Sequence, residues 1–160
     1  MKKLEVKRFE GKPDVFVMSR DNIVGVTTSE HLKNENKPLK QILEEVCKDA
    51  KEYANAIFHK YDYPEGDWYP CGSADVVLQW NDTGNREIIQ LFKKEGVPDG
   101  NGFWTGWFGR LYKTEKQGWW WFPELEVGSQ ALRFEEAICG FVRDRLAAAN
   151  IRVWVRTWVD

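Results

Sequence analysis

The chain is poor in the residues that most often carry metal or nucleophilic chemistry. Its 160 residues include two histidines, His31 and His59, neither with ligand spacing to a cysteine or carboxylate. Its three cysteines, Cys47, Cys71 and Cys139, form no Cys-x-x-Cys pair. An odd, widely spaced set is neither a disulfide framework nor a zinc site. The expectation is free thiols, no metal and no cofactor, in a reducing cytoplasm. A Gly-x-x-x-x-Gly-Lys-Ser/Thr phosphate loop is lacking, and Gly100-Asn101-Gly102 runs into a strand pattern, so it is no dinucleotide fingerprint. No apolar run approaches the roughly 18 residues of a membrane span, and residues 1–7 lack the apolar core of a signal peptide. Neither repeat nor linker divides residues 1–160, which suit a single domain. Basic charge is not in excess: a net charge of −2 argues against non-specific nucleic-acid binding, which needs a cationic face.

Tryptophan is in excess. There are nine, most of them in the second half. The densest stretch is Gly100-Asn101-Gly102-Phe103-Trp104-Thr105-Gly106-Trp107-Phe108-Gly109-Arg110-Leu111-Tyr112, followed by Gly118-Trp119-Trp120-Trp121-Phe122. Aromatic and β-branched side chains fit a pleated, half-buried surface, so the two runs read as an aromatic β-hairpin about the polar turn 113–118. Alternation along one strand through 103–112 puts Phe103, Thr105, Trp107, Gly109 and Leu111 on one face. Trp104, Gly106, Phe108, Arg110 and Tyr112 take the other. Trp119 and Trp121 oppose Trp120 and Phe122 in the same way, until Pro123 stops the pairing. Gly106 and Gly109 mark a bulge or a close approach. Neither face is polar, so both need cover.

The rest of the chain reads as α+β. Residues 2–9, 15–18 and 23–27 have the pattern of a three-stranded meander. Pro38 opens a helix over 39–61 whose stripe is Leu39, Ile42, Leu43, Val46, Ala50, Tyr53, Ala54, Ile57, Phe58 and Tyr61. Residues 74–80 form a strand with Ala74, Val76, Leu78 and Trp80 on the apolar face and Asp75, Val77 and Gln79 opposite. A short helix over 85–94 ends at Gly96, and 97–100 is a turn. Ser129 caps a helix over 130–149 with the stripe Phe134, Ile138, Phe141, Val142, Leu146 and Ala149, closed by Asn150 as a left-handed cap. In the final strand, Ile151, Val153, Val155, Thr157 and Val159 alternate with Arg152, Trp154, Arg156 and Trp158. The order along the chain is β-β-β-α-β-α-β-β-α-β. The expected fold is a twisted, mostly antiparallel sheet with two long amphipathic helices packed on one face.

Few motifs carry chemistry. Asp82-Thr83-Gly84 after an apolar strand resembles an aspartic-protease loop, but it occurs once, and a capped turn into a helix explains the same residues. Cys71 before Gly72-Ser73 is a nucleophile candidate beside His59, but the same spacing arises by chance in a short loop. What stands out is Arg152, Trp154, Arg156 and Trp158 on one face of the last strand, with Trp104, Phe108, Arg110 and Tyr112 in the hairpin. Arginine stacks on aromatic faces and offers planar donors. The loop 62–73, rich in acids and aromatics, adds Trp68 and Tyr69, because recognition residues concentrate on loops. These ten residues are the candidate binding set. The expected function is a non-catalytic cytoplasmic binding protein, an inhibitor or adaptor, whose partner is another protein or a second copy of itself. A small anionic ligand also fits. Two alternatives stand beside it. One is a small enzyme with a site near Asp75, Gln79 and the 62–73 loop. The other is a nucleotide or single-stranded nucleic-acid binder using the aromatic hairpin.

Overall fold

A computed structural model describes residues 5–8, 14–17, 37–60, 71–115, 118–129 and 131–159. Strands β1 (Glu5–Arg8) and β2 (Asp14–Val17) pair antiparallel with each other. The expected third strand at 23–27 and the 61–70 part of the aromatic loop lie outside the described residues.

Helix α1 (Leu39–Ile57) starts at Pro38, which is its N-cap, and ends in a 3-10 turn, Phe58–Lys60. It buries Ile42, Leu43, Val46, Cys47, Ala50, Ala54 and Ile57. Six of these belong to the expected stripe; Cys47 widens it by one position. Strand β3 (Gly72–Leu78) follows. Helix α2 (Thr83–Glu95) is capped by Asp82, whose side chain accepts the Asn85 N–H at 2.9 Å. That bond accounts for the Asp82-Thr83-Gly84 triplet as a helix cap. Gly96 ends this helix, as expected, with an extended backbone (φ −87°) and its N–H donating to the Phe92 carbonyl. Glycine is needed there for space: a Cβ would lie 2.8 Å from the Phe108 ring.

Strand β4 (Val97–Pro98), expected as part of a turn, is a short edge strand on β5 (Phe103–Gly106). The chain then reverses at Trp107 and Phe108 into β6 (Gly109–Lys113). The single strand expected through 103–112 is therefore itself a hairpin. Neither central residue has positive φ; Gly109 does (+103°). This is the arrangement of a tight turn followed by a left-handed glycine. A Cβ on Gly109 would also run into the Phe122 carbonyl and Glu124 N. Strand β7 (Trp119–Phe122) pairs with β6 and β3.

Helix α3 (Leu132–Ala148) is shorter than expected and has Ala131 as its N-cap. Ser129 acts two residues earlier, its Oγ accepting the Ala131 N–H at 3.1 Å. Asn150 has φ +61°, the left-handed cap anticipated for it. Strand β8 (Trp154–Val159) ends the described chain.

The result is an α+β fold: a six-stranded antiparallel sheet in the order β4-β5-β6-β7-β3-β8, with three helices. Ladder partners share a face. One face thus gathers Trp104, Leu111, Trp121, Val76 and Val155 across five strands. That face meets the helices: Ile42, Val46, Ile88, Phe92, Val142 and Leu146 form one core cluster with Val76, Leu111 and Trp121. Phe92 of α2 stacks on Phe108 at 4.1 Å, and Tyr53 of α1 on Phe141 of α3 at 4.5 Å. Arg145 joins α3 to Asp49 of α1 at 2.7 Å. Where β7 leaves the sheet at Pro123, Glu135 of α3 accepts the Ala74 N–H at 2.8 Å, so that edge group is not orphaned. Among the described residues, no helix is long and apolar enough to cross a membrane.

Candidate functional site: the arginine–tryptophan face

The sheet's other face carries Phe103, Thr105, Arg110, Tyr112, Trp120 and Phe122 on the hairpin side and Ser73, Asp75, Val77, Trp154, Arg156 and Trp158 on the other, as the registers require. It is the face turned away from the helix-packed core, with Glu135 of α3 at one end. Its centre is Asp75, 3% exposed. The Tyr112 hydroxyl donates to Asp75 Oδ2 at 2.8 Å from two strands away. Arg156 stands beside Asp75 on β8, its guanidinium 3.7 Å from the Trp120 ring centre and 5.1 Å from that of Trp158. Arg110 reaches over Phe103 and Tyr112 from the far side. Tyr112, Trp120 and Trp158 form a continuous aromatic row at 5.2 and 5.5 Å.

Burial pushes the Asp75 carboxyl up to about 6, against the Tyr112 hydrogen bond and the charges of Arg110 and Arg156, which favour ionisation. Glu135 adds a like charge in the same upward direction. Burial, together with the bond to Asp75, raises the Tyr112 phenol above its ordinary range. Arg110, Arg156 and Glu135 all act on the Asp75 carboxyl. The Trp120 indole N–H is buried and meets no acceptor among the described residues. Clefts open at both ends of the face. One, of about 370 Å³, lies between Thr105, Arg110, Phe122 and Glu135. The other, about 680 Å³, is bounded by Val77, Gln79, Trp80, Trp154 and Arg156.

The ten sequence-derived candidates are thereby sorted. Arg110, Tyr112, Trp154, Arg156 and Trp158 come together on this face. Trp104 and Phe108 do not. The reversal at Trp107 and Phe108 sets Trp104 opposite Leu111, on the helix side, where it packs near Trp119 under Lys93. Phe108 is buried in the turn against Phe92. Arg152 is exposed but precedes the β8 ladder, so no register fixes its face. Trp68 and Tyr69 lie outside the described residues. Of the enzyme set, Asp75 is central and Gln79 lies just past the end of β3, exposed. Trp80, expected on the apolar face, sits in the turn beyond β3, 46% exposed, with Arg86 over its ring at 5.5 Å. Alternation already put Trp120 and Phe122 together; what it lacked was the neighbour order that sets Trp120 between Tyr112 and Val77.

Cys47 and Cys139 are buried in α1 and α3, and burial lifts the Cys47 thiol to about 12; Cys71 is exposed. Among the described residues, no cluster of three or more His, Cys, Asp or Glu could hold a metal ion. The chain matches no protein-family model, no curated protein and no solved structure.

Proposed function

We propose that the protein is a non-catalytic cytoplasmic binding protein, an inhibitor or adaptor, whose working surface is the arginine–tryptophan face and whose partner is an acidic protein segment. One observation carries this reading. Arg110, Arg156, Trp154 and Trp158 share the sheet face opposite the helices, and Trp154 is 54% exposed there. Tryptophan and arginine dominate binding hot spots because they combine large apolar area with directional donors. Guanidiniums recognise carboxylates through paired planar donors, which is what supports an acidic partner. The hairpin's own aromatics favour the face over the hairpin as the binding platform, since Phe108, Trp119 and Trp121 are buried against the helices. Buried thiols at Cys47 and Cys139 suit a reducing compartment.

The test is selection from a displayed random-peptide library, followed by titration of selected peptides against the protein's tryptophan fluorescence. Enrichment of Asp- and Glu-bearing sequences is expected, with binding lost in Arg110→Ala and Trp158→Ala. An oligo-dT strand or a mononucleotide serves as the competing probe. Saturable quenching by either, with no acidic peptide selected, would replace the peptide reading. Among the described residues, the Asp75–Tyr112 pair favours an enzyme, because perturbed pairs of this kind occur at catalytic sites.

A further inference from the structure

Two of the described tryptophans are exposed, Trp80 at 46% and Trp154 at 54%; the others are buried or half-buried. They belong to different elements. Trp80 lies in the turn between β3 and α2, and Trp154 opens β8. The ladder sets Trp154 beside Val77, near the end of β3, and both indoles border the same cleft of about 680 Å³. One exposed indole needs no explanation, but two on one concave surface of this size have the anatomy of a ligand site. The polar side chains of the cleft are the amides of Gln79 and Asn81, both exposed, and Arg156. Among the described residues, neither amide has a hydrogen-bond partner.

We propose that this cleft binds a neutral saccharide, with pyranose rings lying on the Trp80 and Trp154 indoles and their hydroxyls on the Gln79 and Asn81 amides. A pyranose offers a face of C–H groups and a rim of hydroxyls. The C–H face gains dispersion contact on a flat indole. Each hydroxyl both donates and accepts, and so does each side-chain amide, so rim and amides are complementary without charge. Trp80 is also anchored before any ligand arrives. Arg86 Nε donates to its carbonyl at 3.0 Å, and the guanidinium lies 5.5 Å from the ring centre. A platform fixed in advance loses little freedom on binding.

Other ligand classes fit less well. A purely apolar molecule strips water from two amides and returns no hydrogen bond, which is unfavourable. A cation enters beside Arg156, and the Trp80 ring already has a guanidinium over it. A carboxylate is best held by a guanidinium presenting paired donors; here the Arg156 guanidinium lies over the Trp120 ring at 3.7 Å, on the sheet face. A nucleobase stacks on indoles as well, but its strand needs a cationic groove along the backbone. Among the described residues, Arg156 is the one charged group lining this cleft. The inference goes beyond the peptide-binding reading, because the ligand and the cleft are different, although Trp154 and Arg156 border both. Peptide binding by Arg110→Ala reports on the face and glycan binding by Trp80→Ala on the cleft, so either reading can fail alone.

The first measurement applies the full chain to an array of neutral oligosaccharides of gluco, galacto, manno and xylo configuration, with at least one series expected to bind. Calorimetric titration of a bound oligosaccharide then gives the affinity. Trp80→Ala and Trp154→Ala should each weaken it about tenfold or more, with unchanged circular dichroism. An array with no neutral glycan bound overturns the proposal, as does binding that Trp80→Ala leaves intact. Saturable binding of oligo-dT that Trp80→Ala abolishes, with no glycan bound, overturns it in favour of a nucleobase. Should the variants fail to fold, the indole N–H resonances of the wild type decide: a bound saccharide should shift those of Trp80 and Trp154, and one that shifts neither overturns the proposal.

Discussion

Replacing Asp75 by Asn isolates the energetics at the centre of the face. The carboxyl has an ordinary value of 3.8 and is held at about 6 in the fold. At about 1.4 kcal/mol per tenfold change in acidity, that gap is worth about 3 kcal/mol. A raised acid pKa means that the folded state keeps a proton the unfolded chain has released. Between pH 4 and pH 6 the folded state therefore binds more protons, and stability falls as pH rises. The effect is absent below about pH 4 and complete above about pH 6. Asparagine keeps an acceptor for the Tyr112 hydroxyl and carries no charge, so it imitates the protonated carboxyl. Relative to the wild type, Asp75→Asn should gain stability as pH climbs from about 4 to about 7, by up to about 3 kcal/mol. Urea unfolding of both proteins at intervals across that range measures the difference, in which the other carboxylates cancel. A flat difference would refute the dominance of burial. A difference of opposite sign would show that Arg110 and Arg156 outweigh it and hold Asp75 ionised.

Other outcomes follow from the packing. Val46→Asp buries an unpaired charge between α1 and the sheet and should cost about 4 kcal/mol or more, read as a lowered denaturation midpoint. Gly109→Ala forces a side chain into positive φ and against Phe122 and Glu124, so a loss of at least about 1–3 kcal/mol is expected in thermal unfolding. Alkylation of the native protein followed by intact mass should modify Cys71 alone. Cys47 and Cys139 should react only after unfolding, because both are buried and their thiols are raised.

Local periodicity determined much of this protein. The helix stripes of α1 and α3 depend on spacing along one segment, and residues three and four apart land on one side wherever the helix goes. The alternation of β8 is equally local, so Trp154, Arg156 and Trp158 share a face by chain geometry alone. The left-handed Asn150 and the Asp82 cap are likewise decided by a few neighbouring residues.

Tertiary structure decided which segments meet and where the pattern breaks. The aromatic run 103–112 alternates well enough to read as one strand, because Trp and Phe suit a strand and a turn flank alike. The reversal at Trp107 and Phe108 is accompanied by Gly109 at positive φ, where a Cβ would meet the Phe122 carbonyl. That two-residue turn flips Trp104 to the helix side and leaves Arg110 and Tyr112 on the other, since side-chain direction has a period of two and any interruption resets it. The order β6-β7-β3-β8 then brings Tyr112, Trp120, Asp75 and Arg156 onto one face from four separate segments. No spacing in the sequence encodes that grouping, because strand neighbours are chosen by ladder hydrogen bonds and core packing, not by distance along the chain.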